Sequence, residues 1–362
     1  MGATVRVLAR EPRPAGGEAE SRARAYCADR LRSAGYDVRE EPFEYSSFIG
    51  RWGTPIGGLV ALVIVLGAAA AGVRANAGVA FSVLTLGGGA LAVVAQRLAR
   101  SGVLTFPAQR RHGVNLVATR GPAAPKVWLL AHLDSKSQPV PILVRAAGVT
   151  VLGATWIAAI VVAALELIGV LTSTSAWGVL SMAALIGAIP VIATTVGSRS
   201  PGALDNASGV ATVLAAAEAT TVPDVGICLT SAEELGLAGA RAWVLGLVRA
   251  HGPGVAINVD GVDDDGHTTC MYSGRKPTSL VASVVAAAHQ LGSEVRAHRM
   301  IPGVLTDGVA LADAGWDVVT LSKGGVRTLA RIHTPRDRAD HLRGTGVVEV
   351  ARLIVTLIET NR

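Results

Sequence analysis

Apolar positions in this chain repeat with several different spacings, and each spacing marks a different kind of segment. Residues 18–34 set Ala23, Tyr26 and Leu31 at helical spacing and run into Gly35, a helix-stopping residue, so they predict a helix. Residues 36–44 alternate and predict an edge strand. Polarity then vanishes. Arg51 and Arg74 bracket the uncharged stretch 52–73, and residues 75–96 form a second stretch of the same character. Each reaches the roughly 20 apolar residues that cross a hydrocarbon core. Charge returns at Arg97, followed by strand-like runs at 114–119 and 127–131. A second apolar block, 146–196, is interrupted by Glu166 and by the polar cluster 172–175, which divides it into predicted spans at 147–170 and 176–196. Glu166 falls near the end of its span, where a carboxylate can reach the interface.

From residue 200 the pattern alternates again. Residues 208–220, 237–250, 279–291 and 345–359 read as helices; 225–231, 255–260 and 318–322 read as strands. Such alternation predicts an α/β fold, a three-layer α/β/α arrangement around a mixed, mostly parallel sheet covered on both faces. In that architecture functional groups collect at the carboxyl ends of the strands. The expected organisation is one α/β domain over residues 1–50, 97–140 and 199–362, interrupted by transmembrane helical hairpins at 52–96 and 146–198.

Composition sharpens this picture. Half of the residues are hydrophobic, only 17% are charged and the mean hydropathy is +0.45. The charge deficit is local, and four long charge-free runs would need an implausibly large soluble core to cover them. Small residues within 67–72 and 87–89 suit close helix contact in lipid. The net charge of +6 does not point to nucleic acid: no basic stripe with interleaved aromatics occurs, and aromatics make up 4%. Arg51, Arg97, Arg100, Arg110, Arg111, Lys136, Arg145 and Arg199 all lie on the polar-domain side of the apolar runs, against Arg74 alone at a hairpin tip. The positive-inside rule then predicts a multi-pass protein of the cell membrane with its polar domain in the cytoplasm. Cys27, Cys228 and Cys270 are scattered and odd in number, which fits a reducing compartment. With no continuous apolar run before residue 50, no cleaved signal peptide is expected.

Candidate chemistry sits at the strand ends. The run 127–131 leads into His132-Leu133-Asp134, the run 225–231 into Glu233-Glu234, and the run 255–259 into Asp260. His333 follows a later strand and a glycine-containing turn, and Asp205 precedes a helix. Taken singly, these are ordinary residues: a surface histidine, two glutamates favouring a helix dipole, an aspartate in a turn. Taken in order, they are carboxylates and imidazoles that an α/β sheet would gather. That mixture suits zinc, with manganese or cobalt as alternatives. A carboxylate can bridge two cations roughly 3.5–4 Å apart.

Four segments carry a family resemblance: His132-Leu133-Asp134; Pro201-Gly202-Ala203-Leu204-Asp205-Asn206-Ala207-Ser208-Gly209; Glu233-Glu234-Leu235-Gly236-Leu237-Ala238-Gly239; and His333-Thr334-Pro335-Arg336-Asp337. In this order they resemble the co-catalytic di-zinc aminopeptidases, a family that includes bacterial leucyl aminopeptidases, plasma glutamate carboxypeptidase and glutaminyl cyclase. The resemblance covers roughly residues 15–50 and 110–362. It implies that His132 and Asp260 hold one zinc ion, that Glu234 and His333 hold the other, and that Asp205 bridges both. It further implies Glu233 as general base, Asp134 as the carboxylate that orients His132, and a cis peptide between Asp205 and Asn206.

Two departures stand out. Many members of that family carry an Asp-His step where this chain has Thr306-Asp307-Gly308, and a long apolar insert separates His132 from Asp205. The expected activity is hydrolysis of N-terminal peptide bonds, with a peptide or amino-acid amide as substrate. Glutaminyl cyclisation, amidohydrolysis and a non-catalytic membrane receptor or scaffold are the alternatives. The loop 324–330 before His333 is a candidate specificity element.

Overall fold

The computed structural model describes residues 2–301 and 303–360. The chain forms two compact units. Met1–Ser47, Val103–Ser137 and Gly197–Arg362 build the first; Phe48–Gly102 and Gln138–Val196 build the second.

Among the described residues the first unit is built on eight strands: β1 (Asp37–Ser46), β2 (Arg110–Thr119), β3 (Val127–His132), β4 (Val225–Thr230), β5 (Val255–Val262), β6 (His267–Tyr272), β7 (Val295–Arg299) and β8 (Asp317–Gly324). They form one mixed sheet in the order β1-β2-β4-β3-β5-β8-β6-β7. The central run β4-β3-β5-β8 is parallel, while β1, β2 and β6 run antiparallel to a neighbour. Parallel strands need both faces covered, which is why β4 is apolar or small and buried throughout. Alternation along a strand sorts the side chains. On one face Leu129, Ala131, Ile227, Leu229, Ile257 and Val319 pack against the helices Glu18–Ser33, Gly209–Ala219, Thr278–Gln290 and Thr345–Thr360. On the other, Trp128, Leu130, Cys228 and Val318 meet the helices Ala238–His251 and Asp307–Asp313. There Trp128 meets Trp243 edge-on at 4.9 Å between ring centroids, close enough to Gly226 that a Cβ on it would stand 2.5 Å from the indole.

Two strands show no clear signal in the sequence. β6 has four of its six positions only partly buried or exposed and places Thr268 where the sheet buries it, and β7 is a short, largely exposed edge strand, so neither carries the run of apolar residues that marks a strand in the sequence.

Both apolar insertions leave and re-enter the first unit at closed points. The first replaces the turn of the β1–β2 hairpin: Ser46 pairs with Arg110, and the Ser47 amide donates to the Gln109 carbonyl. The second is closed by a two-way bridge in which Ser137 and Gly197 exchange backbone hydrogen bonds of 2.9 and 2.7 Å, with Ser137 Oγ accepting from the Arg199 amide. Because the ends are pinned, the inserts do not disturb the sheet's register.

The second unit contains four helices long and apolar enough to cross a membrane: Ser47–Val73, Ala77–Arg97, Ile142–Leu167 and Thr174–Ile192. Their contacts rest on small residues. A Cβ on Gly72 would stand 2.1 Å from the Trp177 ring, and Gly148 and Gly187 face each other's backbone. Glu166 does not stand free at its helix end; its carboxylate accepts from Trp177 Nε1 at 3.0 Å.

Candidate active site

The parallel centre of the sheet delivers its carboxyl ends to one place. His132 is the last residue of β3, Asp260 lies near the end of β5, and the short turn Glu233–Leu235 follows β4. His333 comes after β8, held at φ +63°. Asp205 arrives from a kinked turn, Ala203–Ser208, that leads into the helix Gly209–Ala219; its peptide to Asn206 is cis. Asn206 anchors that turn to β5. Its amide donates to the Val259 carbonyl at 2.8 Å, and its oxygen accepts from the Gly209 and Gly261 amides.

Asp205 is the hub. Its Oδ1 lies 3.0 Å from His132 Nε2 and its Oδ2 lies 2.9 Å from His333 Nε2. Two donor sets follow, His132–Asp205–Asp260 and Asp205–Glu234–His333, each with its ligand atoms within 4.8 Å of one another. Glu233 belongs to neither; its Oε2 stands 3.9 Å from His132 Nε2. The donor sets suit divalent cations. His132 Nε2 and Glu234 Oε1 are fully buried in the two sets, 3.0 Å from Asp205 Oδ1 and 3.4 Å from His333 Nε2, without the alignment of a regular hydrogen bond. Buried polar atoms are ordinarily satisfied, so two such atoms aimed at a shared carboxylate fit metal ligation.

Outer groups hold this frame in ways the sequence reading only half anticipates. Asp134 was expected to orient His132 through its carboxylate. Instead His132 Nδ1 bonds the Asp134 main-chain oxygen at 3.0 Å, and the nearer carboxylate oxygen stands off at 3.6 Å. The carboxylate accepts from the amides of Glu233 and Glu234 at 3.1 and 3.2 Å, so it positions the glutamate pair. Asp337 plays the matching part for Asp205, accepting from the Leu204 and Asp205 amides; burial raises its pKa to about 7. Arg13 is buried and donates to the carbonyls of Leu8, Leu133, Pro201 and Gly202, tying the segments that carry His132 and Asp205. Lys136, counted above among the bases flanking the membrane, belongs here: its Nζ lies 2.5 Å from Glu234 Oε2.

Electrostatics separates the adjacent glutamates. Burial raises the Glu233 pKa well above the usual carboxylate range, with Glu234 and Asp260 adding to the rise and His132 opposing it. Burial also opposes charge on Glu234, but Lys136 and His333 together outweigh it and bring that carboxylate to about 2. For His132, burial disfavours the cation, yet Glu233, Asp134, Asp205 and Asp260 outweigh it and lift its pKa well above normal. The two neighbours are thus pushed in opposite directions, Glu233 towards a more basic carboxylate and Glu234 towards its ionised form.

The departure at Thr306-Asp307-Gly308 has a packing counterpart. A Cβ on Gly308 would stand 2.6 Å from Thr320 Oγ1, which is hydrogen-bonded to Thr306 Oγ1. Asp307 is buried beneath the site, accepting from Thr230 Oγ1 with its other oxygen unpartnered, and burial lifts its pKa to about 7.

Residues 190–358 match the sequence model of the peptidase family M28. That stretch, a little under half of the chain, is similar to peptidase family M28. The M28 match takes in Asp205, Glu233, Glu234, Asp260 and His333, and it is the family the sequence motifs resemble. No curated protein matches the chain. Among solved structures, the fold is similar to a zinc aminopeptidase from Bacillus subtilis (TM-score 0.57, 15% identity, covering 99% of this chain and 94% of that one). A leucine aminopeptidase precursor from Bacteroides thetaiotaomicron gives a TM-score of 0.59 at 14% identity, covering 100% and 96%. A glutaminyl cyclase from Fimbriiglobus ruber gives 0.57 at 17%, covering 100% and 94%. At these identities the fold is what is shared.

Asp337, Arg13, Asp307 and Lys136 were given no site role from sequence. Asp337 closes the His333-Thr334-Pro335-Arg336-Asp337 segment and Lys136 lies two residues beyond Asp134, so proximity to a motif was the available signal. Arg13 had none.

Proposed function

We propose that this chain is a membrane-bound di-zinc metallopeptidase, acting as an aminopeptidase on small peptides or amino-acid amides. The observation that carries this reading is the pair of donor sets sharing Asp205, with Glu233 beside them and outside both. Two zinc ions, when bound, would polarise a substrate carbonyl and lower the pKa of water between them. His132 and Asp260 would hold one, Glu234 and His333 the other, and Asp205 both. Glu233 takes the proton from the attacking water and returns it to the leaving amine, a role that its raised pKa suits. Asp134 keeps Glu233 and Glu234 in place through their amides.

Detergent-purified protein should hydrolyse aminoacyl reporter substrates, lose that activity on chelation and regain it with zinc. Cyclisation of an N-terminal glutaminyl peptide without hydrolysis would instead favour the reading suggested by the glutaminyl cyclase likeness. Zinc uptake without turnover of either substrate would leave a receptor or scaffold.

The four apolar helices and the basic residues flanking them support a multi-pass membrane protein with two transmembrane hairpins and a cytoplasmic catalytic domain. Lys136 drops out of that charge count, but Arg51, Arg97, Arg100, Arg110, Arg111, Arg145 and Arg199 still outweigh Arg74. A reporter fused behind the C-terminal helix should read out in the cytoplasm, and an extracytoplasmic signal would reverse the orientation.

A further inference from the structure

The two donor sets are alike in composition, each with one histidine and two carboxylates, but only the Asp205–Glu234–His333 set has a lysine against it. Glu234 divides its oxygens: Oε1 faces the donor set, 3.4 Å from His333 Nε2, and Oε2 is taken by Lys136 Nζ. That side chain is largely enclosed, 16% exposed, so solvent does little to screen its charge.

We propose that Lys136 sets the two metal sites apart in affinity, making the Asp205–Glu234–His333 site the weaker and more readily emptied of the two; this rests on the two-metal reading above. With neutral imidazoles, the His132–Asp205–Asp260 set offers a cation two negative charges. The other set offers the same two, less one for Lys136. The lysine also occupies an oxygen that Glu234 would otherwise have free for bidentate ligation. Partners of metal ligands usually strengthen binding by orienting the ligand and raising its basicity. A lysine on a carboxylate does the opposite to basicity, and orientation survives without it, because Asp134 holds the Glu234 amide and the side chain is 3% exposed. Charge therefore decides the sign. A unit charge a few ångströms from a divalent cation, at an effective dielectric of about 20, changes affinity by roughly tenfold or more.

Stepwise zinc binding to the detergent-purified full chain, read by calorimetry or by competition with a chromophoric chelator, tests this. Wild type should take up two zinc ions in separate steps, with His333→Ala abolishing the weaker and Asp260→Asn the tighter. Lys136→Met, which keeps the stem and removes the charge, should tighten the weaker step by at least about tenfold and by more than the tighter step. Lys136→Arg should restore the wild-type spacing, and Lys136→Gln repeats the test should the methionine variant fold poorly. Two steps whose spacing is the same in wild type and Lys136→Met, or a weaker step loosened by that change, would overturn the role of Lys136 alone. Uptake of one zinc ion or none by wild type would overturn the two-metal reading and this inference with it.

Discussion

Glu233→Gln is expected to leave both zinc ions bound and to lower kcat by about 10²–10⁴-fold, the range a positioned general base contributes. Glutamine is close to glutamate in shape, and its amide keeps the backbone N–H that Asp134 accepts, so the turn Glu233–Leu235 should stay in place. What it lacks is a basic oxygen. Glu233 lies outside both donor sets, 3.9 Å from His132 Nε2, so its loss should not empty either site. KM should move little, because positions of ligands and cleft walls are unchanged. Steady-state hydrolysis of an aminoacyl reporter, together with zinc content of the same preparation, checks both halves. Full activity in this variant would remove Glu233 from the chemistry. Loss of zinc would mean that the roles of Glu233 and Glu234 are exchanged.

Asp205→Ala is expected to lose both zinc ions at once, and activity with them. No other described residue contributes to both donor sets, and its two oxygens stand 3.0 and 2.9 Å from His132 and His333. Removing a partner outside the ligand shell typically costs 10–100-fold in metal affinity, and removing a shared ligand should cost well over about 100-fold at each site. His333→Ala, by contrast, should empty one site and spare the other. Zinc content measured side by side distinguishes them: a single zinc retained by Asp205→Ala would show that Asp205 does not bridge.

Much of the candidate site is legible in the chain because strand ends are legible. His132, Glu233, Glu234 and Asp260 each close or follow an apolar run short enough to be a buried strand, and Asp205 and His333 lie in segments with a family likeness. Their supports are not legible in the same way. Arg13 acts through four main-chain carbonyls drawn from three separate segments, and no local pattern announces a side chain that serves distant backbone. Asp134 illustrates the finer difficulty: its place beside His132 is clear from sequence, but which of its oxygens faces which partner depends on the fold.

Periodicity and length by themselves determined the α/β alternation, the four apolar helices and the strand ends from which candidate ligands project, because those follow from which neighbours along the chain are apolar. Tertiary structure alone decided the rest. The strands β6 and β7 form because β8 offers β6 an edge to extend and β6 in turn offers one to β7, not because their own residues demand it. Lys136 reads as one more base beside a membrane segment until the Ser137–Gly197 bridge closes and its ammonium meets Glu234. A charge's role depends on what lies within a few ångströms of it, and for residues 98 positions apart in the chain only folding settles that distance.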